Sequence, residues 1–175
     1  MEVDPATAAA LGFPKAKYAW VERERRWLCD ELPTARVIGA DAITDLYVTG
    51  VRLRLREALP LDGGEPMRRL TRKADVDAST RLLTSIYLSP QEFALLAKLP
   101  GTRLRKTRHR LAPEAGVAMS VDVFEGPLEG LILAEAEFET DAAMAGFTAP
   151  DFCVREVTHD PRYTGGALIR DGLPG

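Results

Sequence analysis

Several features that mark other classes of protein are missing from these 175 residues. No apolar run approaches the roughly 20 residues that a membrane-spanning helix needs. The first residues carry acids, whereas a secretory leader begins with basic residues. We therefore expect a cytoplasmic protein that does not associate with a membrane. A pI near 5.5 and the lack of a basic tract also argue against nucleic-acid binding.

Cysteine is scarce, since Cys29 and Cys153 are the only two and they lie far apart in no metal-ligand spacing. We expect both to be reduced thiols that pack as small apolar groups. The chain also lacks internal repeats, low-complexity tracts and linkers. Its length suits one domain with its own core. We expect an N-terminal arm over residues 1–17, followed by a single domain over residues 18–170.

Short strands dominate the remaining pattern. Runs with period-two alternation or β-branched and aromatic residues, bounded by Gly, Pro or Asp, predict strands at 18–29, 37–48, 51–57, 67–73, 80–88, 103–111, 117–124 and 131–138. Ser89 followed by Pro90 predicts a helix that ends near Lys98, and a second helix is expected over 141–147 with Asp141 as its cap. The tail from Pro161 is expected to hold one helical turn. About eight strands and few helices are typical of a sandwich or a barrel.

Charged residues are sorted by sign along these strands. Alternate residues of a strand share a face, and the faces of uniform sign carry Glu22 and Glu24; Arg52 and Arg54; Lys106 and Arg108; and Glu135 and Glu137. Two interpretations stay open at this point. The charged faces could be the solvated side of an open sheet, or they could line the interior of a closed one. Like charges on one face repel, so such an interior would need metal ions for the acids and phosphates for the bases.

Six ordered motifs resemble those of the CYTH, or triphosphate tunnel metalloenzyme, family. They are ERERRW at 22–27 for E-x-E-x-K, VRLR at 51–54, LTRK at 70–73, RKTRH at 105–109, DVFEGPLEGL at 122–131 with AEAE at 134–137, and EVT at 156–158 with Asp160 and RY at 162–163. The chain departs from the family pattern at three places, one of which is His109 in place of the usual Tyr. Arg26 stands where the motif usually has Lys, so a planar fork replaces a compact ammonium group. Thr164-Gly165-Gly166 replaces an Asn-containing turn.

The resemblance implies a mainly β (α+β) fold: an eight-stranded antiparallel β-barrel tunnel with a few flanking helices. It also implies a dependence on Mg²⁺ or Mn²⁺. Combined with strand parity, it assigns metal binding to Glu22, Glu24, Asp122, Glu135 and Glu137; substrate binding to Arg26, Arg52, Arg54, Lys73, Lys106, Arg108 and Arg162; and catalysis to Glu22, Glu24, Arg26 and Lys73. Arg56, Arg110 and Glu139 lie at strand ends and are expected to be solvated rim residues.

The expected activity is metal-dependent hydrolysis of a small-molecule triphosphate, with inorganic tripolyphosphate as the leading substrate. Thiamine or nucleoside triphosphate hydrolysis and a class IV type adenylate cyclase remain alternatives on the same fold. These would need a stacking surface, for which Trp20, Trp27 and Tyr163 are the candidates. A polyphosphate-binding module without turnover is the alternative of another class. The chain is expected to be a monomer or a homodimer.

Overall fold

The structure, a computed structural model, describes residues 3–175 and forms a closed antiparallel barrel. Its strands are β1 Trp20–Leu28, β2 Val37–Val48, β3 Leu53–Pro60, β4 Met67–Asp75, β5 Thr80–Tyr87, β6 Gly101–Leu111, β7 Met119–Phe124, β8 Ile132–Phe138 and β9 Arg155–Glu156. The sheet order is β5-β4-β3-β2-β6-β7-β8-β1-β9, and β1 also pairs with β5. That extra pairing closes β1 to β8 into a barrel and confirms the predicted fold class.

The predicted strands all form, with small differences at their ends. β2 spans the predicted residues, whereas β3 begins two residues later than expected and leaves Arg52 in the preceding turn. β9 was not predicted, because a two-residue strand has no detectable periodicity. It pairs with the end of β1 through Trp27 and Leu28.

Four short α-helices flank the barrel: α1 Pro5–Ala10, α2 Pro90–Leu96, α3 Asp141–Gly146 and α4 Gly165–Asp171. α2 begins as predicted, because the Ser89 hydroxyl accepts from the Glu92 amide and the Glu92 side chain accepts from the Ser89 amide. The predicted cap of α3 was wrong. Thr140 accepts the amide of Ala143, while Asp141 accepts from the Arg23 side chain.

The apolar core lies outside the barrel wall rather than within it. On the outer face of β1, β7 and β8, Trp27, Val121 and Phe138 pack against Phe147, which follows α3. Both thiols are free, with Cys29 buried and Cys153 partly buried against the same cluster. Because odd-numbered β1 residues such as Trp27 face this core, the even-numbered residues face the barrel interior.

Two terminal segments cover other parts of the barrel. Ala8 and Phe13 at the N-terminal end pack on Ala74 and Leu82 of the outer wall, and the first two residues of the predicted arm lie outside the described part of the chain. We call residues 157–171 the C-terminal cap, a segment that contains a 3₁₀ turn at Pro161–Tyr163 and helix α4. Within residues 3–175, no helix is both long and apolar enough to cross a membrane.

The C-terminal cap lies over one end of the barrel. Its apolar side chains pack with residues at the start of β6 and β8, the end of β7 and the loop between β7 and β8; the cluster comprises Val157, Tyr163, Leu168, Leu104, Phe124, Leu128, Leu131 and Leu133. The ends of these strands meet at the same rim, because neighbouring strands run antiparallel. The cap therefore covers the part of this rim that β6, β7 and β8 form, and the opposite rim is formed by the other ends of the same strands.

Candidate active site

The barrel encloses a cavity of about 320 Å³ that is lined mainly by charged side chains. The basic ones are Arg26, Arg52, Arg54, Arg56, Arg69, Lys73, Arg81, Lys106 and Arg108, and the acidic ones are Glu22, Glu24, Asp75, Glu135 and Glu137. The structure thus decides between the two interpretations of the sorted charges. The charged faces point inward, and the apolar faces pack outward under the helices and terminal segments.

One basic group is organised by a buried acid on β2. Asp45, whose side chain is 0% exposed, accepts from Arg56 Nε and Nη2 at 2.7 Å each, and Arg54 Nε lies 3.9 Å from its Oδ1. Burial alone would raise the pKa of Asp45, but Arg56 and then Arg54 outweigh it and hold that pKa below its ordinary value. Asp45 therefore stays ionised and fixes two basic side chains in the wall.

A second buried acid does the same for β6. The Asp122 carboxylate on β7 is 0% exposed and accepts from Arg108 Nε and Nη2 at 2.7 Å each and from Lys106. Arg108 also donates to Glu135 on β8. Asp122 lies behind the cavity lining with both oxygens already engaged, so its position differs from that of an open metal ligand. It is placed to orient Lys106 and Arg108.

The predicted carboxylates of β1 and β8 all line the cavity. Glu24 and Glu137 are directly opposite each other in the β1–β8 register. Burial and then the charge of Glu135 raise the pKa of Glu24, and burial and then Glu22 raise that of Glu137. Like charges placed opposite each other destabilise a strand pair, so this corner of the cavity favours a cation.

Basic side chains within reach partly neutralise these acids. Lys73 Nζ lies 2.7 Å from Glu22 Oε2, and Arg81 Nη1 lies 3.2 Å from Glu24 Oε1. Burial would raise the pKa of Glu22, but Lys73 and then Arg81 lower it below its ordinary value. Burial lowers the pKa of Lys73, and Arg54 lowers it further. The acidic and basic halves of the cavity are therefore joined by ion pairs.

The donor set fits a hard divalent cation in its chemistry. Glu22, Glu24, Glu135 and Glu137 offer only carboxylate oxygens, which Mg²⁺ and Mn²⁺ prefer. Their side chains are not drawn together, however, and residues 3–175 contain no group of three or more His, Cys, Asp or Glu side chains arranged to hold a metal. A metal would have to compete with Lys73 and Arg81 for these oxygens.

Three charged lining residues were missed by the sequence reasoning, the acidic Asp75 and two bases. Arg69 on β4 and Arg81 on β5 both line the cavity. Strand parity could have found Arg69, because it shares a face with Lys73 four residues later. Arg81 sits directly opposite Glu22 in the β1–β5 register, a pairing that only the closure of the barrel creates.

Other residues occupy positions that differ from the prediction. Arg56 is buried against Asp45, so its assignment to the solvated rim was wrong. Arg110 is half exposed and pairs with Asp41, and Glu139 is exposed, as expected for rim residues. Arg162 is outside the cavity lining, with a side chain 58% exposed and bound to Asp160 at 2.7 Å. This pairing within the 3₁₀ turn holds the Arg162 side chain outside the cavity.

The Arg26 side chain is held by main-chain groups of the C-terminal cap. Its Nη1 donates to the Tyr163 carbonyl at 2.9 Å and its Nη2 to the Thr158 carbonyl at 3.3 Å. Its Nε lies 3.3 Å from Glu24 Oε1. The side chain is 4% exposed, and burial lowers its pKa despite the nearby Glu24. Arg26 therefore lines the cavity and contacts the cap at the same time.

The balance of charge in the cavity is positive. Nine basic and five acidic side chains line it, and Asp45 and Asp122 lie directly behind them, which leaves a net charge of +2 among these groups. The Nε atoms of Arg54 and Arg69 are buried without a hydrogen-bond partner. Buried donors of this kind are costly unless a ligand satisfies them. The geometry therefore suits a compact polyanion that presents many oxygen acceptors.

Comparison with known proteins points the same way. No protein-family model matches the chain. It is 32% identical over 152 residues to an inorganic triphosphatase of Nitrosomonas europaea, and the match covers 84% of this chain and 95% of that protein. It is also 40% identical over 68 residues to an inorganic triphosphatase of Acetivibrio thermocellus, covering 39% of this chain and 42% of that protein.

Solved structures share the barrel. The crystal structure of an inorganic triphosphatase is similar with a TM-score of 0.58 and 27% identity, over 88% of this chain and 97% of that chain. A protein of Pyrococcus horikoshii shares the fold with a TM-score of 0.55 at 22% identity, over 71% of this chain and 82% of that chain. Since the Nitrosomonas relative is 32% identical and matches along nearly its whole length, the chain belongs to the CYTH, or triphosphate tunnel metalloenzyme, family.

Proposed function

We propose that the protein hydrolyses inorganic tripolyphosphate to pyrophosphate and phosphate with Mg²⁺ or Mn²⁺ as its cofactor. The observation that carries the proposal is the divided interior of the barrel, in which a net positive wall faces a corner of carboxylates. A polyphosphate alone would need only the bases. The carboxylates that face each other account for the metal, and the relatives named inorganic triphosphatases support the substrate.

The phosphates would be held by the basic side chains of three strands. Arg54 on β3, Arg69 and Lys73 on β4, and Lys106 and Arg108 on β6 all line the cavity. Their charge would also stabilise the negative charge that develops on the oxygens of the transferred phosphoryl group and the leaving pyrophosphate. Because Asp45 and Asp122 fix their neighbours in place, little reorganisation is needed when the substrate binds.

The carboxylates of β1 and β8 would hold the metal. Glu22, Glu24, Glu135 and Glu137 supply the ligands, and a bound Mg²⁺ or Mn²⁺ would neutralise phosphate charge and lower the pKa of water. Lys73, released from Glu22, would become free to bind a phosphate oxygen. Binding thus exchanges internal ion pairs for contacts with the ligands, so the cavity keeps its charge compensated.

Glu24 and Glu137 are the candidates to orient the attacking water. Burial is the first cause that raises the pKa of each carboxyl group, and a carboxylate of raised pKa is a better proton acceptor near neutral pH. Their direct opposition across β1 and β8 places both at the acidic corner of the cavity. Hydrolysis needs this water in line with the bond that breaks.

Organic triphosphates are less well served by the cavity. Trp20 is 70% exposed and is not part of the lining, and Trp27 is buried in the outer core. Tyr163 lines the cavity only at the capped rim, where its hydroxyl binds Arg155. A base or thiazole ring would therefore lack a stacking partner among these three candidates.

The test is phosphate release from tripolyphosphate, pyrophosphate, ATP and thiamine triphosphate, each with Mg²⁺, Mn²⁺ or EDTA. We expect turnover of tripolyphosphate that stops in EDTA, with pyrophosphate accumulating as product. Faster turnover of ATP or thiamine triphosphate would assign an organic substrate instead. Tight binding of tripolyphosphate without phosphate release under any condition would refute hydrolysis and favour a binding module.

A further inference from the structure

The C-terminal cap is attached to the barrel through the side chain of one cavity residue. The Arg26 guanidinium donates to the carbonyl of Thr158, which precedes the 3₁₀ turn, and to that of Tyr163, the last residue of the turn. The main chain adds two contacts, because the Arg26 carbonyl accepts the Val157 amide at 2.8 Å and the Arg26 amide donates to the Thr158 hydroxyl at 3.0 Å. A substitution of the Arg26 side chain would leave these main-chain contacts possible and remove only the two hydrogen bonds of the guanidinium group.

We infer that Arg26 is a positioning residue that holds the C-terminal cap over one rim of the barrel and so limits which polyphosphates fit. Two nitrogens of the planar guanidinium reach two carbonyls five residues apart. A lysine, the usual residue of the family motif, has a single nitrogen on a shorter head group and cannot bridge them in the same way. The effect on substrate range rests on the proposed triphosphatase activity, whereas the clamp itself does not.

An independent feature of the cap shows how closely it is seated. A Cβ atom at Gly165 would lie 2.1 Å from Tyr47 Oη and 3.0 Å from Tyr47 Cζ. The side chain of Tyr47 belongs to β2 in the barrel wall. A methyl group at the first residue of α4 would therefore require the Tyr47 side chain or the cap to move. The Thr164-Gly165-Gly166 turn, one of the departures from the family motif, forms this contact.

The cap bounds one side of the cavity. Tyr163 and Leu168 of the cap line the cavity and pack on Leu104, Phe124 and Leu133. The cap therefore limits the length of the cavity on the β6–β8 side of the capped rim, whereas Val51, Arg52 and Asp75 line it on the β3–β4 side. If the cap were displaced, a longer chain could extend past this rim, so tetrapolyphosphate should gain relative to tripolyphosphate.

Three variants of the full-length protein separate a clamp from a direct phosphate contact. Arg26→Lys keeps the positive charge and loses the pair of guanidinium hydrogen bonds to the cap. Gly165→Ala displaces the cap without touching a basic residue. Gly166→Ala is the matched control, because a Cβ atom there meets nothing within 4 Å and alanine favours the helix.

The first measurement is hydrogen exchange of residues 157–172 without substrate. Since a hydrogen bond from a charged donor is among the stronger ones, we expect exchange to be faster by about tenfold in Arg26→Lys and in Gly165→Ala. Gly166→Ala should exchange at the parent rate or more slowly. Parent-like protection in Arg26→Lys would overturn the clamp whatever the outcome of any activity assay.

The second measurement is the ratio of kcat/KM for tetrapolyphosphate to that for tripolyphosphate. We expect this ratio to rise several-fold in both cap-displacing variants and to stay constant in Gly166→Ala. A loss of kcat in Arg26→Lys alone, with an unchanged ratio and normal activity in Gly165→Ala, would assign Arg26 to the phosphate instead. If the parent protein turned over no triphosphate, the proposed function would fail while the exchange result would still decide the clamp.

Discussion

Arg69 and Arg56 offer a direct test of which cavity bases serve the ligand and which serve the fold. They lie opposite each other across β3 and β4. Arg56 is fully engaged by Asp45. Arg69 makes no ion pair with the residues described, and its Nε is buried without a partner. Burial and then the charges of Arg56 and Arg54 lower the pKa of Arg69. The positive charge of Arg69 is therefore repelled by its neighbours and is not compensated by an ion pair with the residues described.

Replacement of Arg69 by Gln should therefore weaken activity and leave stability intact. A hydrogen bond to a charged group contributes about 1.5–3 kcal/mol, which corresponds to a loss of roughly 10- to 100-fold in kcat/KM for tripolyphosphate. The free energy of unfolding should stay unchanged or rise by up to about 1 kcal/mol, because a like charge is removed. Arg56→Gln should instead lower the free energy of unfolding by about 3–5 kcal/mol, because it removes the partner of the buried Asp45 carboxylate.

The assays are urea unfolding and steady-state phosphate release, run on both variants and the parent protein. The comparison is sharp because the two side chains occupy facing positions of one strand pair. Equal destabilisation by the two substitutions would show that Arg69 supports the fold. An unchanged kcat/KM in Arg69→Gln would place the phosphates elsewhere in the cavity and refute the reasoning from unpaired donors.

Two further substitutions address the acids. Asp45→Asn should destabilise the protein by about 3–5 kcal/mol at pH 7. Arg56 and Arg54 hold the Asp45 pKa below its ordinary value despite burial, so this contribution to stability exists above about pH 4 and shrinks as the pH falls further. Urea unfolding of both proteins across pH 3–7 measures it. An equal difference at every pH would contradict the charge argument. Glu24→Gln should abolish turnover and weaken Mn²⁺ binding measured by calorimetry. The control Glu139→Gln, which changes an exposed acid next to the end of β8, should change neither. If Glu24→Gln binds Mn²⁺ with the affinity of the parent protein, Glu24 is not a metal ligand.

Strand order and face could be predicted because the sequence repeats a simple rule. Along β1 and β8, every second residue is charged and the intervening residues are apolar or face the outer core. Period-two alternation determines which residues share a face, but it does not determine which face is inside. That choice needed the motifs, since an open sheet with a solvated face has the same pattern.

Pairing between distant strands could not be predicted in this way. Arg81 meets Glu22 only because β5 closes on β1, and the sequence separation gives no local signal for that contact. The burial of Arg56 was also missed, because it depends on Asp45, which lies opposite Arg56 in the β2–β3 register. Long-range partners decide burial when a charged side chain needs compensation.

Charge compensation also explains why Asp122 differs in role from Glu24 and Glu137, although all three acids belong to strands of the barrel. Asp122 has both oxygens occupied by Lys106 and Arg108 and no exposure. A metal would have to displace two cations from it at the cost of burying their charges unpaired. The like charges that raise the pKa of Glu24 are those of Glu135 and then Glu22, and those that raise the pKa of Glu137 are Glu22 and then Glu135. A cation among these carboxylates therefore relieves an unfavourable arrangement. The site of lowest cost for a metal is therefore the corner of β1 and β8, and the bases fixed by Asp122 remain available to the phosphates.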